Sequence, residues 1–511
     1  MKIKKIFLSV IALALAGGLI FYLLEKPMKN RTLKVAFPDV EPISYYDPAK
    51  ISYGTQYALL QNLYCSLIAY NEKNQLVSSI AERFEWEGNA AYFRLREGLR
   101  TIDGRAITAK DVDVSFRRLF ALGTNLHGDL RTALCGNKKI KTLNDRCPNI
   151  EVKDDRTVVF KFKSKNQFLF SMLTSADFSI IPQSAIDPIT LKIVDYRNTS
   201  GPYFVESDDG KGRIVMAANP AHYCYSKKMP ERLELVPSLK DNKSESMALF
   251  ESGKADIITT KESRQVPAIL KYHASHKDSN LFKTVPLNLT VMTFTPTGMK
   301  RFSKEERFAI AAIIRSIVLP DLLSKTGHEE TVQIFPEFAY GRLEDGQLSK
   351  VLAELEKPRP GKFGKKISIW NLPKELWGAV SNAMPKAELQ HVMALPGHMD
   401  YAAQGLSEPD LFYYNCDSSV KGDISYFSYY LNSYFFYING KKGKAWVDKY
   451  SNETDAEKQL KMVNQLHYKT LLAGVTFPLA FKPYVAIARK PWTINYYTYD
   501  AGNRFWRVWK D

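Results

Sequence analysis

The stretch from Tyr92 to Leu119, YFRLREGLRTIDGRAITAKDVDVSFRRL, constrains the fold more than any other part of the chain. Its first residues alternate apolar and charged side chains, which predicts a half-buried strand. Asp103-Gly104 predicts a turn, because glycine tolerates positive φ and aspartate can bond its own backbone. Thr108 stands at a helix N-cap position, with Asp111 three residues later and apolar residues following at helical spacing. The stretch therefore predicts a strand, a turn and a capped helix in one α/β unit.

The same stretch resembles the signature of one family, the oligopeptide- and dipeptide-binding receptors of bacterial ABC importers (extracellular solute-binding proteins, family 5). The matching segments are Leu95 to Leu99, Asp103-Gly104 and Thr108 to Val112. Weaker similarities follow at Thr199 to Tyr203 and at Arg307 to Ile310. The resemblance covers nearly the whole chain after residue 31.

The resemblance implies an α/β fold of the periplasmic-binding-protein type, bilobal and with three domains (class II, peptide-receptor type). We expect a discontinuous domain I at residues 32–46, 174–280 and 480–511, an inserted domain II at 47–173, and domain III at 281–479. A chain of 511 residues exceeds what one hydrophobic core normally fills, which favours several domains. In such a fold the ligand is enclosed when the two lobes close.

The N terminus carries a short basic segment and then an uncharged run from Ile6 to Leu24. This run is long enough to span a bilayer as a helix, which takes about 20 residues. Ala14 to Gly17 could be a cleavage site, so an export signal and an anchor are both open interpretations. Gly18 stands where a lipoprotein signal requires cysteine. We expect residues 1–31 to be a signal or anchor with a linker, and a periplasmic protein tethered to the inner membrane by residues 6–24.

Composition and charge exclude several function classes. The formal net charge is +17, but the basic residues are scattered, which indicates a solvated surface, so we expect no nucleic-acid partner. The five cysteines include no closely spaced pair of the kind that zinc sites use. Cys135 and Cys147 bracket a polar loop, and an exported protein favours a disulfide between them.

Catalytic motifs are missing: the sequence has no G-x-S-x-G, H-E-x-x-H or P-loop pattern. We therefore expect a binding protein, without enzymatic activity and without a metal or cofactor. Elsewhere, Ser303 to Glu306 predicts a capping box that opens a helix, which Pro320 should end. The aromatic residues near the C terminus could form a ligand cage, but alternating aromatics in strands usually belong to the core, as we interpret them. They are Tyr496, Tyr497, Tyr499, Phe505, Trp506 and Trp509.

The resemblance also implies a first ligand segment. In the family it follows a DP-x-K-I turn and pairs with the backbone of an extended peptide. By position it corresponds here to Ser52, Tyr53, Gly54 and Thr55. Gly54 would permit close backbone approach, or it only starts the following helix; both interpretations are open.

The family's second ligand segment resembles W-x-x-D-Y-x-x-P, in which the aspartate holds the free amino group of the peptide. This chain has Ala402 and Gly405 at the tryptophan and aspartate positions. A strong charge-assisted bond is thereby lost, so the ligand should not depend on a free amine. The candidate contacts in this segment are Tyr401, Gln404, Gly405, Leu406 and Glu408.

The resemblance thus implies a monomeric receptor that captures a peptide-like solute and delivers it to an ABC permease in the inner membrane. A second hypothesis keeps the fold but makes the protein an envelope sensor or interaction module that feeds no transporter. A nickel- or haem-carrying receptor is a third. Specificity should lie in the divergent second segment.

Overall fold

The computed structural model describes residues 31–510, apart from residues 39, 52–53, 123–127, 137, 164, 167–168, 239–244, 261–264, 325–326, 360–363, 385–388, 393–406, 418–436, 439, 454 and 500–501. The predicted N-terminal helix and tether at residues 6–24 lie outside the described residues. Within the described ranges, no helix combines the length and the apolar character needed to cross a membrane.

Helices and strands alternate along most of the chain. The α-helices of the described residues are α1 (Gly54–Leu63), α2 (Ala109–Leu122), α3 (Gly128–Cys135), α4 (Leu169–Met172), α5 (Ser246–Glu251), α6 (Val266–Ser275), α7 (Pro296–Arg301), α8 (Lys304–Leu323), α9 (Asp345–Glu356), α10 (Lys374–Ala383), α11 (Gly440–Asn452) and α12 (Ala456–Leu472). The strands are β1 (Thr32–Pro38), β2 (Ile68–Tyr70), β3 (Leu76–Ser78), β4 (Ala81–Glu87), β5 (Ala90–Leu95), β6 (Ile150–Asp154), β7 (Thr157–Lys161), β8 (Tyr203–Asp208), β9 (Ile214–Ala218), β10 (Arg232–Ser238), β11 (Ile257–Ile258), β12 (Ser279–Lys283), β13 (Asn288–Phe294), β14 (Glu329–Glu330), β15 (Ile367–Trp370), β16 (Leu389–Val392), β17 (Leu411–Asp417), β18 (Thr476–Lys482), β19 (Val485–Arg489), β20 (Trp492–Ile494) and β21 (Val508–Lys510).

A seven-stranded mixed sheet has the order β12-β19-β11-β1-β10-β9-β8 and takes strands from the start, the middle and the end of the chain. Its strand β1 runs parallel to both neighbours, β10 and β11. Leu33 and Val35 of β1 lie in one hydrophobic cluster, whereas Ala36 lies in another. The strand is therefore buried on both faces, as a run of consecutive apolar residues in a parallel pair requires.

Two further sheets come from continuous parts of the chain. The antiparallel sheet β4-β5-β7-β6 packs against α2, where the rings of Phe116 and Phe160 are 4.8 Å apart. The six-stranded mixed sheet β14-β18-β13-β17-β15-β16 surrounds β13, of which every residue is buried. Two-stranded ribbons β2-β3 and β20-β21 complete the pairing.

The strand and the capped helix predicted between Tyr92 and Leu119 are confirmed as β5 and α2. The carboxylate of Asp111 accepts hydrogen bonds from the backbone N–H of Thr108 at 2.7 Å and from its hydroxyl at 3.0 Å. The same side chain accepts from the backbone N–H of Gln183 at 2.8 Å. The N-terminus of α2 is thus stabilised locally and joined to a distant segment.

The capping box at the start of α8 is confirmed, but the predicted end of that helix is wrong. Ser303 and Glu306 cap each other's backbone N–H groups, at 3.3 and 2.8 Å. The helix then continues through Pro320 to Leu323. A proline this close to the C-terminus removes one backbone bond, and the burial of Leu322 in the core favours continuation.

Two short connections join the seven-stranded sheet to the six-stranded sheet. These hinge connections are residues 284–287, between β12 and β13, and residues 483–484, between β18 and β19. Strand pairing continues to Lys283 and to Lys482, so the sheets change a few residues after the predicted boundaries at 280 and 479. The division into three domains stays a prediction.

The cysteines fall into two groups. Cys135, at the end of α3, and Cys147 are joined in a disulfide and are both buried. Cys65, Cys224 and Cys416 take part in no disulfide among the described residues.

His467 in α12 bridges two backbone segments inside the six-stranded region. Its Nε2 accepts a hydrogen bond from the N–H of Ile334 at 3.0 Å, so the proton lies on Nδ1, which donates to the carbonyl of Gly341 at 3.0 Å. Complete burial, with a smaller contribution from Arg342, lowers the pKa of His467 to about 3. The histidine therefore stays neutral in the folded protein at neutral pH.

We expect this histidine to make the protein less stable in acid. The unfolded chain protonates His467 below its ordinary pKa of about 6.5, while the folded chain does not until about pH 3. The free energy of unfolding therefore carries no penalty from His467 above about pH 6.5. As the pH drops below that value the penalty grows, and it lowers the free energy of unfolding by about 2 kcal/mol between pH 7 and pH 5. His467→Gln can make both hydrogen bonds but has no group that titrates. Between pH 7 and pH 5 its free energy of unfolding should therefore fall by about 2 kcal/mol less than that of the unmodified protein. Urea denaturation at both pH values measures the difference, and equal pH dependence in the two proteins would contradict it.

Candidate functional site

The hinge connections are bonded to each other and so form one unit between the two larger sheets. The N–H of Thr284 donates to the carbonyl of Tyr484 at 2.9 Å, and the N–H of Tyr484 donates to the Thr284 hydroxyl at 2.8 Å. The Asn288 amide donates to the Tyr484 hydroxyl at 2.9 Å. The C-terminal segment joins through the carbonyl of Thr498, which accepts from Val285 at 3.0 Å. Two short connections of this kind allow two lobes to open and close.

The first predicted ligand segment lies where the chain enters α1. Gly54 and Thr55 are the first two residues of that helix, and Ser52 and Tyr53 lie outside the described residues. Gly54 is exposed and does start a helix, as one of its two interpretations requires. The ligand contacts of these residues stay a prediction.

The approach to α1 is held by a buried ion pair. Asp47 accepts from the backbone N–H of Ala49 at 2.9 Å, which caps the short 3₁₀ turn before α1. The same carboxylate binds the guanidinium of Arg118 in α2 through two hydrogen bonds of 2.9 and 2.5 Å. Arg118 also donates to the carbonyl of Leu191 at 2.7 Å. The backbone just before the first ligand segment is therefore held in place by the hydrogen bonds of Asp47 and Arg118.

Most of the second predicted ligand segment, including Tyr401, Gln404, Gly405 and Leu406, lies outside the described residues. Glu408 is described, and its Oε2 accepts from the backbone N–H of Thr297 at 3.1 Å and from the hydroxyl at 2.5 Å. This carboxylate thus caps the start of α7. Its role as a ligand contact stays a prediction.

Asp410, at the end of the same segment, is completely buried. Its carboxylate accepts two hydrogen bonds from Arg301, at 2.7 and 2.6 Å, and further bonds from the N–H and hydroxyl of Ser368. The carboxylate of Asp410 is therefore paired with Arg301 and Ser368 inside the six-stranded region.

Sequence reasoning missed a cleft of about 680 Å³, counting its open mouth, at the C-terminal end of α1. All of its described lining residues precede Thr284 or follow Tyr484, so this α1 cleft lies entirely on one side of the hinge connections. Its wall includes Gln61, Cys65, Ser179, Tyr497, Arg504 and Trp506.

The α1 cleft contains thiols next to an imidazole, but these thiols stay protonated and so provide no nucleophilic thiolate. His222 Nδ1 accepts from the N–H of Cys224 at 3.1 Å, so its proton lies on Nε2, which is 3.6 Å from the sulfur of Cys65. Burial raises the pKa of the Cys65 thiol to about 12 and lowers that of His222 to about 3. Both groups are neutral at neutral pH. The described residues hold no group of three or more His, Cys, Asp or Glu side chains that could bind a metal ion.

One signal in the sequence could have located this cleft. The C-terminal aromatic residues were interpreted as core, and Tyr496 and Phe505 are indeed buried, at 5% and 0% exposure. Their neighbours Tyr497 and Trp506 are only half-buried and line the cleft. Within each pair of neighbours, one side chain is therefore buried in the core and the other faces the cleft.

Comparison with known sequences gives two matches. The sequence profile of the bacterial extracellular solute-binding proteins, family 5 Middle, matches residues 75–339. A Haemophilus influenzae protein, named provisionally as a binding protein, is 26% identical over 178 residues, which are 34% of this chain and 32% of the relative. The chain thus matches about a third of the length of that curated relative.

Solved structures match over almost the whole chain. The Escherichia coli murein tripeptide binding protein MppA has a TM-score of 0.72 and 14% identity, covering 94% of this chain and 99% of its own. Haemophilus influenzae OppA, in complex with RPPGFSPFR, has a TM-score of 0.70 and 13% identity over 94% and 99%. A. tumefaciens AgaA, in complex with agropinic acid, has a TM-score of 0.71 and 16% identity over 94% and 99%. These similarities confirm the predicted α/β fold of the periplasmic-binding-protein type.

Proposed function

Because the chain belongs to the bacterial extracellular solute-binding proteins of family 5, we propose that it captures a peptide-like solute between two lobes and delivers it to an ABC permease. The family consists of binding proteins rather than enzymes, and its members are periplasmic or extracellular. The uncharged run at residues 6–24 favours a tether to the inner membrane, which is part of the proposal.

The observation that carries this proposal is the pair of bonded hinge connections. Reciprocal hydrogen bonds between Thr284 and Tyr484 hold the two crossings side by side, so both bend at the same place. A receptor needs such a hinge, since closure removes the solute from water and satisfies its polar groups. Further hydrogen bonds tie these connections to Asn288, in β13 of the six-stranded sheet, and to Thr498, in the C-terminal segment.

Recognition of the solute should use its backbone more than its amino terminus. Gly405 stands where the family places the carboxylate that binds a free amine, and the nearby acids have other partners. Glu408 caps α7, and Asp410 is paired with Arg301. An extended peptide would then pair with the segment from Ser52 to Thr55, with polar groups such as Gln404 at the other wall.

We expect acetylation of the ligand's amino terminus to leave binding almost unchanged. Calorimetry on an acetylated and a free-amine version of one binding peptide provides the test, with peptides first selected from a library of short sequences. A matched variant, Gly405→Asp, should introduce a preference for the free amine of tenfold or more, about 1.4 kcal/mol, because it supplies the missing carboxylate.

A tenfold loss on acetylation in the unmodified protein would show that another acid has taken over the anchor. If no peptide binds, and native mass spectrometry finds no small molecule retained from the cell, the solute-capture proposal fails. The sensor or interaction-module hypothesis would then be favoured.

A further inference from the structure

We propose that one end of the seven-stranded sheet docks on the surface of a bilayer that contains anionic phospholipids. Strands β1, β10, β11 and β12 begin at this end, and β19 finishes there. Such docking depends on the membrane tether proposed above, but not on the identity of the solute. It adds an orientation to the tether, because this end of the sheet faces the bilayer.

Lysines that are far apart in the sequence meet at this end of the sheet. Each lies in β1 or in a connection beside the strand ends, each is exposed, and none makes an ion pair with a described residue. We call them the basic end; they are Lys34, Lys227, Lys228, Lys254, Lys277 and Lys490. The N–H of Lys490 donates to the carbonyl of Asp278 at 2.8 Å. The carbonyl of Lys228 accepts from the N–H of Lys510 at 3.0 Å, and Lys510 is paired with Trp492, two residues after Lys490.

Most carboxylates near the basic end have partners other than these lysine side chains. Three of them form ion pairs with arginines, which are Arg31–Glu231, Arg232–Glu206 and Arg489–Asp278. The carboxylate of Asp256 accepts a hydrogen bond from the backbone N–H of Lys34 at 2.9 Å. Glu251, at the end of α5, is exposed and makes no ion pair with a described residue. The six lysines outnumber this acid, so the basic end presents a surplus of positive charge, which attracts an anionic surface.

The tether reaches the protein at the same end of the sheet. Residues 25–30 separate the uncharged run, which ends at Leu24, from Arg31. The carbonyl of Arg31 accepts from the N–H groups of Glu231 and Arg232 at the start of β10. An extended chain spans at most about 3.6 Å per residue, so Arg31 can lie no more than about 25 Å from the end of that run. A tether this short keeps the basic end near the bilayer, where the weak attractions of single lysines act together.

The composition of the basic end suits lipid headgroups better than a protein partner. Lysine is depleted in protein–protein interfaces, whose centres are apolar. None of the large apolar side chains that are exposed among the described residues lies in these connections. Lysine carries a point charge on a flexible stem, which can follow headgroups in many positions.

Docking at the basic end leaves the hinge connections free. Strand β12 runs from Ser279 at this end to Lys283 beside the first hinge connection. Strand β19 runs from Val485 beside the second hinge connection back to Arg489 at this end. The length of these strands, about 13 Å, therefore separates the docked end from the hinge. The other lobe can open and close while the seven-stranded sheet stays on the bilayer.

Lysine footprinting of the full chain, reconstituted into vesicles, tests this docking. One preparation contains phosphatidylcholine alone, and the other contains phosphatidylglycerol as well. A water-soluble succinimidyl ester acetylates the lysines, and mass spectrometry gives the rate for each of them. We expect phosphatidylglycerol to slow acetylation at the basic end about threefold or more. Salt at about 1 M, which shortens the Debye length to about 3 Å, should abolish this protection. Lys350, exposed on α9, should react equally in both preparations.

Two triple variants separate the basic end from net charge. The test variant replaces three of its lysines by glutamine, at Lys254, Lys277 and Lys490. The control variant makes the same change of charge at exposed lysines of α2, α9 and α11, which are Lys110, Lys350 and Lys444. The test variant should lose most of the protection at the three remaining lysines of the basic end, and the control variant should keep it. Equal losses in the two variants would overturn the assignment to this end of the sheet.

Flotation of the vesicles separates a failure of docking from a failure of the proposed tether. If the protein floats with both kinds of vesicle but phosphatidylglycerol gives no protection, the tether stands and the docking is wrong. If it floats with neither, tether and docking are both wrong. Protection in native membranes that is missing in the lipid vesicles would mean that a membrane protein covers the basic end, which also overturns docking on lipid.

Discussion

Arg118→Met is expected to lower the free energy of unfolding by about 3–5 kcal/mol, because it leaves the carboxylate of Asp47 buried without its partner. Arg118 is 1% exposed and donates two hydrogen bonds to Asp47. Methionine keeps much of the volume but provides no donor. The loss also frees the carbonyl of Leu191, which accepts from the same guanidinium. Urea denaturation of the purified protein measures the change.

Two further variants separate the ion pair from other effects. Arg94→Met removes an exposed partner of Glu82, 3.3 Å away on β4, and should change stability by less than about 1 kcal/mol. Combining Arg118→Met with Asp47→Asn should recover part of the loss, since asparagine removes the buried charge and keeps an acceptor for the N–H of Ala49. If Arg118→Met alone lowers the free energy of unfolding no more than Arg94→Met does, the prediction is wrong and water reaches the carboxylate of Asp47.

Gly298→Ala in α7 is also expected to lower the free energy of unfolding strongly, by about 3 kcal/mol. This value is the upper end of the usual cost of overpacking. A Cβ atom at Gly298 would lie 2.1 Å from the carbonyl oxygen of Asp410 and 3.0 Å from the ring of Phe294. The Asp410 backbone resists displacement, because its carbonyl accepts from Thr295 at 3.0 Å and its side chain is paired with Arg301. One of these contacts must give way.

This change should also weaken solute binding. The carbonyl of Pro409 accepts from the Thr295 hydroxyl at 2.6 Å, and Glu408 caps the same helix start, so a shifted α7 displaces the end of the second ligand segment. Denaturation and calorimetry on one protein preparation measure both effects.

Gly346→Ala in α9 is the matched control for Gly298→Ala. No atom lies within 4 Å of the position that its Cβ would take. Alanine is the better helix former by about 1 kcal/mol, so this variant should be as stable as the unmodified protein or more stable. Wild-type stability in Gly298→Ala would mean that the Asp410 backbone can move without loss.

The local features could be predicted because their causes lie within a few residues. The alternation before Arg96, the bonds between Thr108 and Asp111 and the capping box at Ser303 each depend on neighbours in sequence. The same stretches carry the family resemblance, so the fold class followed from them. The end of α8 did not, because burial of Leu322 outweighed the local preference of Pro320.

The partners of charged and polar side chains were decided by the tertiary structure. Glu408 was a candidate ligand contact in the sequence, yet it caps α7, more than 100 positions earlier in the chain. The α1 cleft combines Gln61, Ser179 and Arg504 from three distant segments. The periodicity of apolar residues shows which side chains are buried. The partner of a polar side chain depends instead on which distant segments the fold brings together. The sequence thus determined the family, the local elements and the apolar faces, while long-range packing decided which polar groups meet and where a cleft opens.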